Sequence, residues 1–198
     1  MDSRYKFLII RFSSIGDIIL TTPLIRCLRA TFPNAQIDFL VKKEFAVVLS
    51  GNPHINSIIT FDKTDSRNQL RRIRMQVQLT RYSMIFDIQK NIRSMMIGVG
   101  SRTGIAGFSK KLIARDLLIR FKINIYKEIK PVYLRYFEAV ETLGVRYDGK
   151  GTEVFPAEQE TGIVEALLAQ NNIPQDKPLL VVAPGAQWEN KRWTTEGF

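Results

Sequence analysis

Residues Phe7–Pro23, FLIIRFSSIGDIILTTP, decide how this chain is read. The apolar run at its start, Phe7 to Phe12, is long enough for a buried strand and too short for a helix. Ser13, Ser14 and Gly16 follow as a tight loop of small residues with free backbone N–H groups. Asp17 then stands where the first turn of a helix presents it. In α/β proteins, ligands bind in the crevice beyond the carboxyl ends of the strands. The chain therefore places a carboxylate at a candidate active-site position. Two readings of Asp17 stay open. It is either an acid stabilised by the helix dipole or a general base. A free aspartate, with a pKa of about 3.9, is ionised at neutral pH and accepts a proton from an alcohol held within hydrogen-bond reach. The loop carries neither Gly-x-x-x-x-Gly-Lys nor Gly-x-Gly-x-x-Gly, so it is neither a P-loop nor a dinucleotide fingerprint.

Strand and helix patterns alternate outward from this unit. A helix is expected up to about Phe32, with Thr22-Pro23 as either a cap and first helical position or a kink. Strands are expected at 36–41, 56–61 and 83–88, with a short helix at 44–50. Residues 67–81 read as a helix with Leu70, Ile73 and Val77 on one face and Arg67, Arg71, Arg74 and Arg81 on another. A helix at 91–99, a short strand near 104–108 and a helix from Pro131 to Gly144 complete the unit, the last burying Tyr133, Phe137 and Val140. The alternation predicts an α/β fold, a Rossmann-like parallel sheet with helices on both faces.

A second regime begins near Pro156. Residues 158–170 read as a helix with Ile163, Ala166 and Leu167 inward, followed by a linker at 171–178. LLVVA (179–183) reads as a fresh buried strand leading into PGAQWENKRW. Small residues there let a phosphate approach backbone N–H groups, and Lys191 or Arg192 adds full charge. The alternative is an ordinary βα loop with a cation and a packing tryptophan. The expected organisation is an acceptor-binding domain at 1–156, a connecting helix and linker at 157–178, and, at 179–198, the start of a second Rossmann-like domain that is cut off.

Composition narrows the function classes. The 198 residues are 45% hydrophobic, enough for a real core. No stretch reaches the ~20 apolar residues of a spanning helix, and MDSRYK does not open a signal peptide. We therefore expect a cytoplasmic protein. The lone Cys27 excludes an internal disulfide, and the lone His54 excludes a His-rich metal site and argues against a His-based triad. The net charge of +10 is concentrated in residues 63–130, with 16 Lys/Arg against 4 Asp/Glu. Such a segment is a solvated basic surface or faces an anionic partner: nucleic acid, acidic headgroups or a phosphorylated substrate.

Four segments together carry a resemblance: FSSIGDIILTTPLIRCLRATFPNAQIDFLV, FDIQKNIRSMMI, Arg102-Thr103-Gly104-Ile105-Ala106-Gly107-Phe108, and APGAQWENKRW. In this order they resemble the ADP-heptose:lipopolysaccharide heptosyltransferases, glycosyltransferase family 9. The resemblance implies a two-domain GT-B fold with its active site between domains. It implies inverting single displacement, with Asp17 as catalytic base. Lys191, with Gly185, Ala186 and Gln187, would hold the donor diphosphate. Arg11, Ser13, Ser14, Gly16, Asn91 and Arg93 would lie on the acceptor side. It further implies an ADP-heptose donor, an anionic lipopolysaccharide-core acceptor, no cofactor, and peripheral contact with the inner face of the inner membrane. The pyrophosphate leaving group carries charge well, so no metal is assumed. The family's late Asp-x-Gly-x-x-His-like motif is absent from this sequence, which implies poor donor binding and no turnover by the chain alone. A non-catalytic α/β module, or a nucleic-acid binder using the Arg face of 67–81 and Tyr82, is the alternative; no known nucleic-acid motif supports the latter.

Overall fold

The computed structural model describes residues 5–197 except 102, 110, 111, 127, 175, 187 and 188. The chain divides into two compact units, Met1–Pro156 and Ala157–Phe198. The first unit contains five strands: β1 (Lys6–Ile10), β2 (Gln36–Lys42), β3 (Ser57–Phe61), β4 (Met84–Asp87) and β5 (Gly104–Ala106). They form one sheet in the order β3-β2-β1-β4-β5, and all four pairings are parallel.

β1 is apolar and buried from Phe7 onward, as a strand covered on both faces requires. Phe7 and Ile9 point to one core, with Leu24, Ile25, Leu28, Phe39, Phe86 and Tyr136. Leu8 and Ile10 point to the other, with Leu40, Ile59, Ile73, Val77 and Ile97. The first face is covered by α1 (Ile15–Ile19), α2 (Thr22–Thr31) and α6 (Val132–Tyr136). The second is covered by α3 (Ser66–Thr80) and α4 (Ile92–Gly98). Helix α5 (Leu112–Phe121) follows β5.

The strand order sets the site. The chain runs β1, β2, β3 in one direction, then returns to lay β4 on the other side of β1. This reversal opens a crevice at the carboxyl ends of β1 and β4. The helix expected up to about Phe32 is two helices, and Thr22-Pro23 marks a helix start, with Thr21 as the N-cap of α2 and Pro23 in its first turn. Proline is tolerated there because the first N–H groups of a helix have no intrahelical partner.

The expected helix from Pro131 is likewise broken. After α6 it continues as short 3-10 turns at Phe137–Ala139 and Glu141–Leu143. It ends at Gly144, whose φ of +73° suits the missing side chain. Phe137 and Val140 are buried as expected and Tyr136 is buried completely beside them, whereas Tyr133 is only half-buried and packs on Tyr147.

The second unit contains α7 (Glu158–Gln170) and two 3-10 turns, Glu189–Lys191 and Thr195–Gly197. Ile163 and Leu167, expected inward, are exposed. Residues 179–183 form no β-ladder, and Leu179, Leu180, Val181 and Val182 are exposed. A strand exists through its hydrogen-bonded neighbours, and no described residue pairs with this one. Among the described residues, no helix is long and apolar enough to cross a membrane.

Candidate active site

The site begins where β1 ends. Arg11 continues the strand, its N–H donating to the Leu40 carbonyl at 3.0 Å. Its side chain is buried and turns back over the carboxyl edge of the sheet. One guanidinium nitrogen donates to the Ile88 carbonyl, just past β4, at 2.7 Å. Another meets Asp17 Oδ2 at 2.6 Å. The guanidinium carbon lies 5.8 Å from the centre of the Tyr136 ring. Tyr136 in turn packs edge-on against Phe108, centroids 5.1 Å apart.

Ser14 is the N-cap of α1. Its backbone N–H and its hydroxyl both donate to Asp17 Oδ2, at 3.2 and 3.1 Å. This is the return half of a capping box, in which the third helical residue reaches back to the cap. Asp17 is therefore a helix-start acid and also a half-exposed carboxylate in the crevice. Its Oδ2 carries the Arg11 and Ser14 contacts. Among the described residues, nothing donates to its Oδ1.

Burial is the largest single influence on the Asp17 carboxyl and works to raise its pKa. The Ser14 N–H, the Arg11 charge, and hydrogen bonds from Arg11 and the Ser14 hydroxyl together outweigh it. The pKa is held below the ordinary carboxylate value. Burial pushes the Tyr136 phenol upward, while the charges of Arg11 and Asp17 act on it in opposite senses.

The β4 side is braced separately. Gln89 Oε1 accepts the Phe12 N–H at 2.9 Å and the Ser13 N–H at 3.4 Å, tying the loop after β1 to the loop after β4. Buried Asp87 accepts the N–H groups of Gln89 and Lys90 and the Ser94 hydroxyl. Asn91 caps α4, its Oδ1 accepting the Ser94 N–H at 2.8 Å.

Of the expected acceptor-side residues, Arg11 and Ser14 thus meet Asp17 directly. Ser13 joins through Gln89. Gly16 sits in α1 with open space where a Cβ would stand. Asn91 is connected through Ser94 and Asp87, with its carboxamide oxygen committed to the cap. Arg93 is placed elsewhere, 5.0 Å over the Phe61 ring at the end of β3. Tyr136 and Gln89 were not identified from sequence. Gln89 lies in the FDIQKNIRS stretch and could have been read as the first polar side chain beyond β4.

In the second unit, Gly185 is exposed and Ala186 half-buried, and the Ala186 carbonyl accepts Arg192 Nε at 2.7 Å. Lys191 is exposed at the end of its 3-10 turn. Arg192 is thus partly occupied by the loop. Gln187 lies outside the described residues.

No protein-family model matches the chain. It is 24% identical over 197 residues to lipopolysaccharide heptosyltransferase 1 of Campylobacter coli, covering 94% of this chain and 56% of that protein. In fold it is similar to a glycosyl transferase family 9 protein of Veillonella parvula, with a TM-score of 0.78, 19% identity, and coverage of 97% of this chain and 56% of the other. It is also similar to an E. coli heptosyltransferase solved with ADP-2-deoxy-2-fluoro heptose, with a TM-score of 0.63, 19% identity, and coverage of 96% and 62%. The chain spans about half the length of the curated relatives it matches. Over nearly all of its own length this chain is similar to the lipopolysaccharide heptosyltransferases, and its fold is like that of the matching part of a glycosyl transferase family 9 protein.

Proposed function

We propose that this chain is the acceptor-binding part of a glycosyltransferase that moves a heptose from ADP-heptose to an anionic lipopolysaccharide-core acceptor. The observation that carries the reading is the Asp17 carboxylate at the β1–β4 switch point, ionised and clamped through one oxygen, with the other oxygen unengaged by the described residues. In this reading Oδ1 takes the proton of an acceptor hydroxyl as that oxygen attacks the anomeric carbon. The bond to the diphosphate breaks on the opposite face, so the configuration inverts. Lys191 and the backbone of Gly185, Ala186 and Gln187 balance the charge that grows on the departing ADP. Arg11, Ser13, Ser14, Gly16 and Asn91 line the acceptor side, and the basic middle of the chain suits an acceptor bearing carboxylates and phosphates at a membrane surface. Names of the relatives and the ADP-sugar in one neighbouring structure support the donor class.

The test is transfer itself, in a polypeptide extended to the relatives' length. Loss of ADP-heptose with matching gain of heptose on a core acceptor supports the reading, and absence of donor binding and transfer overturns it. In the same polypeptide, Lys191→Ala is expected to weaken donor binding about 10- to 100-fold, the size of a hydrogen bond to a charged group. Unchanged donor affinity in a titration would remove Lys191 from the diphosphate site.

Arg11 supplies a pH prediction. A carboxyl whose folded pKa is depressed stays ionised above that pKa, and base catalysis is lost only as pH falls through it. The acid limb of transfer is therefore expected below about pH 3.9, the ordinary aspartate value. Arg11→Gln removes the neighbouring charge and leaves the burial penalty, so the limb moves to higher pH. A kcat/KM profile that does not move in this variant would separate the two residues.

A further inference from the structure

The geometry points to residues 117–130 as a docking element for an anionic membrane surface, which seats the protein beside its acceptor. The segment leaves the carboxyl edge of the sheet after β5, runs through the end of α5 and returns to Pro131. Leu118, Ile119, Phe121, Ile123, Ile125 and Ile129 are all exposed, Phe121 at 65% and Ile129 at 83%. Single exposed apolar residues need no explanation, but six within twelve positions do.

The charges say what covers them. Arg120, Lys122 and Lys130 alternate with these residues along the chain, and Glu128 is the one acid in the segment. Glu128 pairs with Lys130 at 3.3 Å. Cores of protein–protein interfaces are depleted in lysine. At a bilayer the same mixture is favourable: apolar side chains enter the headgroup–acyl boundary, and long cationic side chains extend to lipid phosphates. No helix here need cross the bilayer for this to work.

The patch is joined to the candidate active site by direct contacts. Arg135, which shares a cleft with Leu118, Ile129 and Lys130, lies 5.3 Å over the Phe108 ring. Phe108 packs on Tyr136, Tyr136 carries Arg11, and Arg11 holds Asp17. A surface bound through 117–130 would thus connect to the carboxylate through four side chains in succession, Arg135, Phe108, Tyr136 and Arg11. This inference rests on the proposed transfer to a membrane-held acceptor.

The test is co-sedimentation of the chain with vesicles of equal parts phosphatidylglycerol and phosphatidylcholine, and with phosphatidylcholine alone. We expect pelleting with the anionic vesicles, weakened by salt, and little with the neutral ones. Phe121→Ser and Ile129→Ser should each lower partitioning about tenfold, as removal of a buried apolar side chain does. Arg120→Gln and Lys122→Gln should each lower it about fivefold. Leu180→Ser, in the exposed run of the second unit, should bind like the parent. Equal binding to both vesicle types, parent-like binding by all four variants of the patch, or an equal loss in Leu180→Ser would overturn the proposal. So would a concentration-dependent dimer, seen by sedimentation velocity, that the serine variants abolish. Vesicle binding without any transfer by the extended polypeptide would instead sink the reaction and leave the docking surface standing.

Discussion

Asp17→Asn is expected to lower heptosyl transfer by about 10²–10⁴-fold, the range spanned by a positioned general base. The fold should survive the change. The side chain sits at 35% exposure in a loop-to-helix junction, so it is not a core element. The carboxamide oxygen can still accept from Ser14 and Arg11, and Arg11 keeps its bond to the Ile88 carbonyl and its place on Tyr136. What asparagine cannot do is take a proton. The expected signature is a fall in kcat with donor affinity unchanged and a melting temperature within a few degrees of the parent. Undiminished turnover would remove Asp17 from the base role. A large loss of stability would show that its capping function is the greater part of its worth.

The frame of this site was legible because its signals are local. The unbroken apolar run of β1 signals a strand covered on both faces, and the small residues after it leave room for a turn. Asp17 at the start of α1 follows from the same seventeen residues. Strand order was not legible: alternating elements imply parallel pairing, but only the fold shows β4 returning to β1 and opening the crevice there. Arg11 looked like an interruption of an apolar run. Its meaning depends on a turn that brings it to a residue six positions later and to a carbonyl 77 positions later. Tyr136 was passed over although it lies three positions after 133 and four before 140, on the face read as buried. α5 gave no one-sided stripe, since cations interrupt its apolar residues, and that same mixture is what now marks it as an interfacial segment. Ile163 and Leu167 were read inward on periodicity alone, which states that a face is apolar without saying what covers it.

The largest expected loss of stability comes from Arg26→Ala, a residue with no local signal at all. Arg26 reaches from α2 to a segment more than 120 positions away. Its Nε and one terminal nitrogen hold both oxygens of Asp148 at 2.8 Å, and its other terminal nitrogen meets Glu153 Oε2 at 2.7 Å. The Gly151 carbonyl accepts a further bond at 3.0 Å, and the Glu153 N–H donates to Thr22 Oγ1 at 2.9 Å. Together these strap 148–155 across the helix that follows the Asp17 loop. Gly51 allows the strap to lie flat, since a Cβ there would stand 2.3 Å from the Phe155 carbonyl oxygen. Removing one partner of a buried ion pair costs about 3–5 kcal/mol. Asp148 and Glu153 keep some access to water, so the expected cost falls below that range, at about 2–3 kcal/mol. For a chain of this size that is a fall of about 5–10 °C in melting temperature. The pH dependence identifies the cause. The Arg26 hydrogen bonds are the largest influence holding the Asp148 carboxyl well below its usual range. A depressed carboxyl contributes its stability in full above the unfolded pKa of about 3.9 and loses it as pH falls through the folded value. The gap between parent and Arg26→Ala should therefore be widest near pH 7 and narrow steadily below pH 4. Thermal melts showing the same gap at pH 7 and pH 3 would assign the loss to the packing of the arginine stem and not to its charge.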